Sequence, residues 1–347
     1  MTSSDRLRAD AASPRAGAPA ILIVGPNPAM DRTEEIADFR PHKVNRALVS
    51  SPRAGGKSII VARAVRRLGH HVSAYGFLGG ATGHYLRAEC EALGIRDRHT
   101  EITDETRINT ILVDDRTRLS TVINEPGPIV SPAEIAALTS TVSDDLREGD
   151  FLILTGSLPR GTTDDFYASL IALGRARGAR SIVDAEGSVL ASAAGAGPWA
   201  VKCNLDEFRA IAPGAPQTLA GDGDRTRLVA AMHALVDTGI SLVIVTLGAA
   251  GLIAVTPTHV FDVDAPPVDT KNATGSGDTF LAGFASALAD GADVATALRV
   301  GAAAASANAA VLIPDIGPDP QLDTLLARTR AVVQPAAARG ERLGAHS

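Results

Sequence analysis

The stretch Asn272-Ala273-Thr274-Gly275-Ser276-Gly277-Asp278-Thr279-Phe280-Leu281-Ala282-Gly283-Phe284 passes from a loop of small residues straight into an apolar helix. The first N–H groups of a helix have no partner within it, and the helix dipole adds positive potential there, so such an opening favours an anion. Gly275 and Gly277 let the backbone approach a phosphate with no Cβ in between, and Ser276 sits between them. Asp278 falls in the first turn, beside the anion site. A carboxylate there can take the proton of an attacking hydroxyl, an effect worth roughly 10²- to 10⁴-fold in rate. The plainer alternative is a capped helix whose acid simply favours the dipole.

Working outward, residues 151–155, 181–184, 200–202 and 242–246 are short apolar runs separated by helical stretches, the last of which is the Ala-rich segment 295–310. That alternation predicts a mostly parallel sheet flanked by helices. Residues 20–24 predict a first buried strand closed by Gly25-Pro26, and 71–77 another. Helices are expected after Gly55-Gly56, stopping at Gly69, and over 82–93. Residues 107–124 hold two β-like runs around Asp114-Asp115-Arg116, a hairpin pattern. In open α/β sheets ligands collect beyond the carboxyl ends of the strands. Gly156-Ser157, Asp184, Asn204 and Gly248 stand there.

The 347 residues suffice for one large α/β domain; 45% are apolar and only 3% aromatic, so aliphatic side chains must fill the core. A net charge of −6 gives no general attraction to nucleic acid or anionic membrane. Two cysteines exclude a disulfide framework and a four-cysteine zinc site, and fit a reduced, cytoplasmic protein. Residues 1–18 and 331–347 are expected to be disordered arms on one domain spanning 19–330. No run reaches the roughly 18 apolar residues of a membrane span. Ser51 to Ser58 nearly fits a Walker A loop but lacks its first glycine.

The glycine loop also resembles the C-terminal signature of the ribokinase-like (PfkB) carbohydrate kinases. Asn27-Pro28-Ala29-Met30-Asp31, Val44-Asn45-Arg46, Gly55-Gly56-Lys57, Thr106-Arg107-Ile108-Asn109, Asn124-Glu125-Pro126-Gly127-Pro128, Gly156-Ser157-Leu158-Pro159 and Lys202-Cys203-Asn204-Leu205-Asp206-Glu207 follow in that family's order. They are most similar to its phosphosugar branch, the 1-phosphofructokinases and tagatose-6-phosphate kinases. The resemblance implies an ATP- and Mg²⁺-dependent kinase of a hexose phosphate, fructose 1-phosphate first. Fructose 6-phosphate, tagatose 6-phosphate, an unphosphorylated sugar or nucleoside, or a non-catalytic binding role are the alternatives.

The resemblance also implies roles. Asp278 is the catalytic base, with Gly275, Ser276 and Gly277 holding developing charge. Asp31, Gly55, Gly56 and Ser157 bind the sugar, while Arg46 and Arg107 face its phosphate, with Lys43 and Lys57 as weaker candidates. Lys202, Asn204, Glu207, Thr246, Gly248, Gly251 and Asn308 serve the nucleotide, and Asn204 and Glu207 organise the metal through water. Asp184 is a lesser candidate. Residues 32–53 and 107–124 form a small β lid, which leaves open a homodimer through the lid. Read without the family, Asn204 and Glu207 are a helix capping box. The chain departs from the family pattern Gly-Gly-x-Gly-x-Asn at Ser58 and Ile60. Isoleucine can neither donate nor accept a hydrogen bond, so a sugar contact of about 1 kcal/mol is absent at position 60.

Overall fold

Strands Ile21–Val24 and Phe151–Thr155 are buried at every residue, the pattern of strands covered on both faces. Their side chains alternate. Ile21, Ile23, Phe151 and Ile153 enter one apolar core, and Leu22, Val24, Leu152 and Leu154 enter another on the opposite face. The computed structural model describes residues 19–117, 119–311 and 319–336. These strands are the centre of a ten-stranded sheet. From one edge its order is Ala331–Pro335, His259–Val263, Leu252–Val255, Leu242–Thr246, Ala200–Asn204, Arg180–Asp184, Phe151–Thr155, Ile21–Val24, Val72–Tyr75 and Arg96–Asp97. The strands from Leu242–Thr246 to Arg96–Asp97 are parallel, and the remaining three add antiparallel.

The chain moves from Ile21–Val24 outward to Val72–Tyr75, then returns to the other side at Phe151–Thr155. The order therefore reverses beside Ile21–Val24, and the crevice beyond the strand ends at that point is where α/β sheets bind ligands.

A second sheet has four strands in the order Val49–Gly55, Ala29–Ile36, Ile108–Asp114, Ser120–Asn124. The expected hairpin is the antiparallel pair Ile108–Asp114 and Ser120–Asn124. Asp114 accepts at 2.9 and 3.1 Å from the Arg116 and Thr117 amides, which closes the turn. Asp31 lies within a strand of this sheet rather than in a turn after the first strand. Ser51 to Gly55 are likewise strand residues, which excludes a Walker A loop there.

One expectation is overturned. Ala331–Pro335 is not part of a disordered tail but pairs with His259–Val263, since Val332 and Val333 are β-branched and suit a strand edge. The rest of that tail from 337, and the arm at 1–18, lie outside the described residues. Among the described residues no helix is long and apolar enough to cross a membrane.

The helices Ser276–Ala289 and Val294–Ala309 pack closely because small residues face each other. A Cβ on Gly301 would stand 2.7 Å from the Phe280 ring, and one on Gly283 would stand 3.0 Å from Ala304 Cβ. Gly301→Ala is therefore expected to destabilise the fold by about 1–3 kcal/mol, the usual range for overpacking. Chemical denaturation measures this, and an unchanged midpoint would show that the helices can separate freely.

Candidate active site

Four parallel strands deliver polar residues to one end of the sheet: Gly25 follows Ile21–Val24, Gly156 follows Phe151–Thr155, Asp184 ends Arg180–Asp184, and Lys202 and Asn204 lie at the end of Ala200–Asn204. Asp184 is buried and receives two ammonium groups, Lys202 Nζ at 2.8 Å and Lys57 Nζ at 3.3 Å. Burial alone would raise its carboxyl, but Lys202 and Lys57 overcome that and hold it below the ordinary value. Lys57 is raised above the usual lysine range, chiefly by Asp184. Lys202 is raised as well, because Asp184 outweighs the burial that opposes its charge.

Asp278 is the third residue of the helix Ser276–Ala289 and is 7% exposed. Burial first, then the nearby Asp184 charge, push its carboxyl up to about 7, against the pull of Lys57 and Lys202. The loop before it turns through Gly275, whose φ of 77° is the left-handed region open to glycine. Lys202 packs under this loop, since a Cβ on Gly277 would lie 2.7 Å from its Nζ. The glycine loop, Lys202, Asp184 and Lys57 thus form one continuous charged floor.

Asn308 differs from its expected place. It is fully buried, and its amide donates to the Thr274 carbonyl at 2.8 Å and the Ser276 hydroxyl at 3.1 Å. It braces the glycine loop from behind and presents no surface to a nucleotide. Asn204 and Glu207 form the reciprocal capping box that the sequence allowed, at 2.9 and 2.8 Å. Glu207 Oε2 receives the Asn204 amide, which leaves Oε1 for other partners. Thr246 ends its strand with its hydroxyl on the Cys203 carbonyl at 3.3 Å, and the turn Gly248–Ala250 followed by Gly251 lies just beyond.

On the other side, Asp31 Oδ1 accepts from the Asn109 amide at 2.8 Å, and burial raises its carboxyl. Gly55 is required opposite it, because a Cβ there would fall 2.0 Å from Asp31 Oδ2. Gly56 caps the helix Lys57–Arg67. Arg107 grips the Asn27 carbonyl through Nε at 3.2 Å and Nη2 at 2.9 Å, and the Glu125 carbonyl through Nη1 at 3.1 Å. Guanidinium carries five N–H groups, so two remain for an anion. Ser157 Oγ accepts from Asn27 at 3.1 Å and lines a cavity of about 330 Å³ with Gly156, Leu158, Arg160 and Glu186. Arg46 and Lys43 are exposed on the loop between Ala29–Ile36 and Val49–Gly55, outside this cluster of contacts.

The sequence reading undervalued Lys57 and Asp184 and assigned no role to Asn27 or Asn109. The signal for Lys57 and Asp184 was a strand-end carboxylate plus a lysine at a helix start, which becomes meaningful only when distant segments meet.

A buried carboxyl in the first turn of a helix behind a glycine loop, two lysines meeting beside it and a second, half-buried carboxyl at Asp31 fit a phosphotransferase acting on an alcohol group. A family model described as pfkB family carbohydrate kinase matches residues 29–312. The 1-phosphofructokinase of Xanthomonas campestris pv. campestris is 35% identical over 273 residues, covering 78% of this chain and 84% of that protein. The tagatose-6-phosphate kinase of Staphylococcus epidermidis is 31% identical over 270 residues, covering 77% and 85%. The structure of phosphofructokinase-2 from Escherichia coli in complex with fructose-6-phosphate superposes with a TM-score of 0.81 at 27% identity, covering 89% of this chain and 98% of that one. The chain belongs to the pfkB family of carbohydrate kinases, and its fold is the ribokinase-like α/β fold that the sequence implied.

Were Asp278 the base, it would act only when ionised, and kcat/KM would rise with pH through about 7, where burial and Asp184 hold its carboxyl. Lys57 holds that value down. Lys57→Met should therefore move the acidic limb to higher pH, as read from kcat/KM profiles. An unmoved limb would separate Lys57 from the base.

Proposed function

We propose that this chain transfers the γ-phosphoryl group of ATP to a hydroxyl of a hexose phosphate, with fructose 1-phosphate going to fructose 1,6-bisphosphate as the first choice. The observation that carries the reading is Asp278, a buried carboxyl near pH 7 at a glycine-loop anion site. Asp278 removes the proton of the attacking hydroxyl, and the amides of residues 275–277 hold the phosphoryl oxygens as charge builds. Lys202 and Lys57 add fixed positive charge beside the same point. Asp31 and Asn109 orient sugar hydroxyls, and the two remaining N–H groups of Arg107 receive the substrate phosphate. Asn27 fixes Ser157 and Arg107 relative to each other.

Mg²⁺ fits the donor set as a hydrated ion carried on the nucleotide. Glu207 keeps one carboxylate oxygen for a metal-bound water, and Asn204 is exposed beside it. Such an ion neutralises phosphate charge. Among the described residues no group of three or more His, Cys, Asp or Glu side chains is placed to hold a metal ion. The four-stranded sheet acts as a lid whose closure keeps water from the phosphoryl group. Exposed Val44, Leu48, Val49, Leu119, Val122 and Ile123 on the lid strands and their loops support a second copy covering them. The two free, buried cysteines suit a reducing, cytoplasmic setting.

A second reading, an unphosphorylated sugar as acceptor, is favoured by one observation: Arg107 already holds two backbone carbonyls. A screen of sugars and sugar phosphates in an ADP-coupled assay separates the two. Turnover confined to hexose phosphates supports the first, and no turnover with any acceptor, from folded protein that binds ATP, overturns both. Asp278→Asn should retain ATP affinity and lose roughly 10²- to 10⁴-fold in kcat. Near-normal turnover would remove Asp278 from the base role.

A further inference from the structure

The helix Lys57–Arg67 is buried almost throughout its first two turns. Between residues 57 and 65 only Lys57 and Ile60 are partly exposed. Residues three apart on a helix share a face, with Cβ atoms about 5–6 Å apart. Ile60 therefore shares a face of the helix with Lys57, whose Nζ lies 3.3 Å from Asp184 and whose charge bears on Asp278. One turn further along, Arg63 donates to the Ala54 carbonyl at 2.5 Å, and its charge bears on Asp31. Along the helix Ile60 stands between these two neighbours, one beside Asp184 and Asp278 and the other bearing on Asp31. It belongs to neither apolar core. A partly exposed apolar side chain outside both cores thus lies on the helix between the lysine that meets Asp184 and the arginine whose charge bears on Asp31.

We propose that Ile60 is a specificity-determining residue of the acceptor pocket, selecting a sugar phosphate that turns a C–H edge toward it, as a deoxy carbon or an epimer with hydrogen on that side. The inference rests on the kinase reading above. The chemistry is one of exclusion. A hydroxyl pressed against Ile60 loses its water and gains no partner, because the side chain neither donates nor accepts. That loss corresponds to discrimination on the order of 10- to 100-fold. The β-branched side chain is also stiff at χ1, so it does not turn aside to admit the hydroxyl.

The test compares hexose phosphates with their monodeoxy and epimeric analogues, using the full chain as wild type, Ile60→Asn and Ile60→Thr. Two readouts are taken: kcat/KM with saturating ATP, and binding of the same compounds by calorimetry with a non-hydrolysable ATP analogue. Wild type is expected to accept one deoxy or epimeric compound at least as well as its hydroxylated parent. Ile60→Asn should shift that ratio toward the parent by about 10-fold or more, and Ile60→Thr in the same direction by less, with the ATP KM unchanged. A ratio that moves less than about 2-fold in both variants for every pair, against ordinary experimental scatter, overturns the proposal. If no compound turns over but the binding ratio shifts as stated, the pocket assignment stands and the kinase reading falls. If binding ratios are also unmoved, both fall.

Discussion

Two lysines from distant parts of the chain meet on one buried carboxylate, and the active end of the molecule is organised around that meeting. Asp184 ends a central strand, Lys202 rises from the next strand, and Lys57 comes from the helix that follows the lid strand Val49–Gly55. Removing one partner of a buried ion pair generally costs about 3–5 kcal/mol, since the remaining charge is left without compensation. The pairing therefore ties the half of the molecule that offers Gly55 and Gly56 to the half that offers the glycine loop. It also fixes the electrostatic setting of Asp278, because Asp184 pushes its carboxyl up while both lysines draw it down.

Much of this was legible from residues alone. Fully apolar runs such as 151–155 and 242–246, spaced by helical stretches, announced a buried parallel sheet, and the small-residue loop before an apolar run announced the turn at Gly275 into the helix Ser276–Ala289. What stayed hidden depended on contacts between distant segments. Lys57 read as a weaker candidate for the substrate phosphate until Asp184, 127 residues away in sequence, supplied its partner. Asn308 could be placed near the nucleotide by order in the chain, yet only packing shows it buried and bonded to Thr274 and Ser276. The strand Ala331–Pro335 was masked by its Ala-, Arg- and Gly-rich surroundings, since an edge strand needs only one partner and carries a weak pattern.

The second sheet shows how an open surface and an inward-facing carboxylate can share one small sheet. Ala29–Ile36 brings Asp31 inward against Asn109 and Gly55, while its neighbours and their loops expose Val49, Val122 and Ile123. The inner strand thus carries the half-buried carboxylate, while the two edge strands carry the exposed aliphatic side chains. The Arg107 guanidinium on the Asn27 carbonyl ties the start of Ile108–Asp114 to the segment between Ile21–Val24 and Ala29–Ile36, and so this sheet to the main one.

The raised carboxyl of Asp278 has a thermodynamic side. An unfolded chain releases that proton near the ordinary aspartate value of about 3.9, whereas the folded protein keeps it to about 7. Between those values the folded state binds more protons, so this residue's contribution to stability is greatest in acid and declines as pH rises toward 7, by at most about 1.4 kcal/mol per unit. The ionised form that can accept a proton is thus the form in which this part of the fold is least at ease. Any ligand that brings a hydrogen-bond donor to that carboxylate, or orders the loop beside it, would act as a folding ligand of this region.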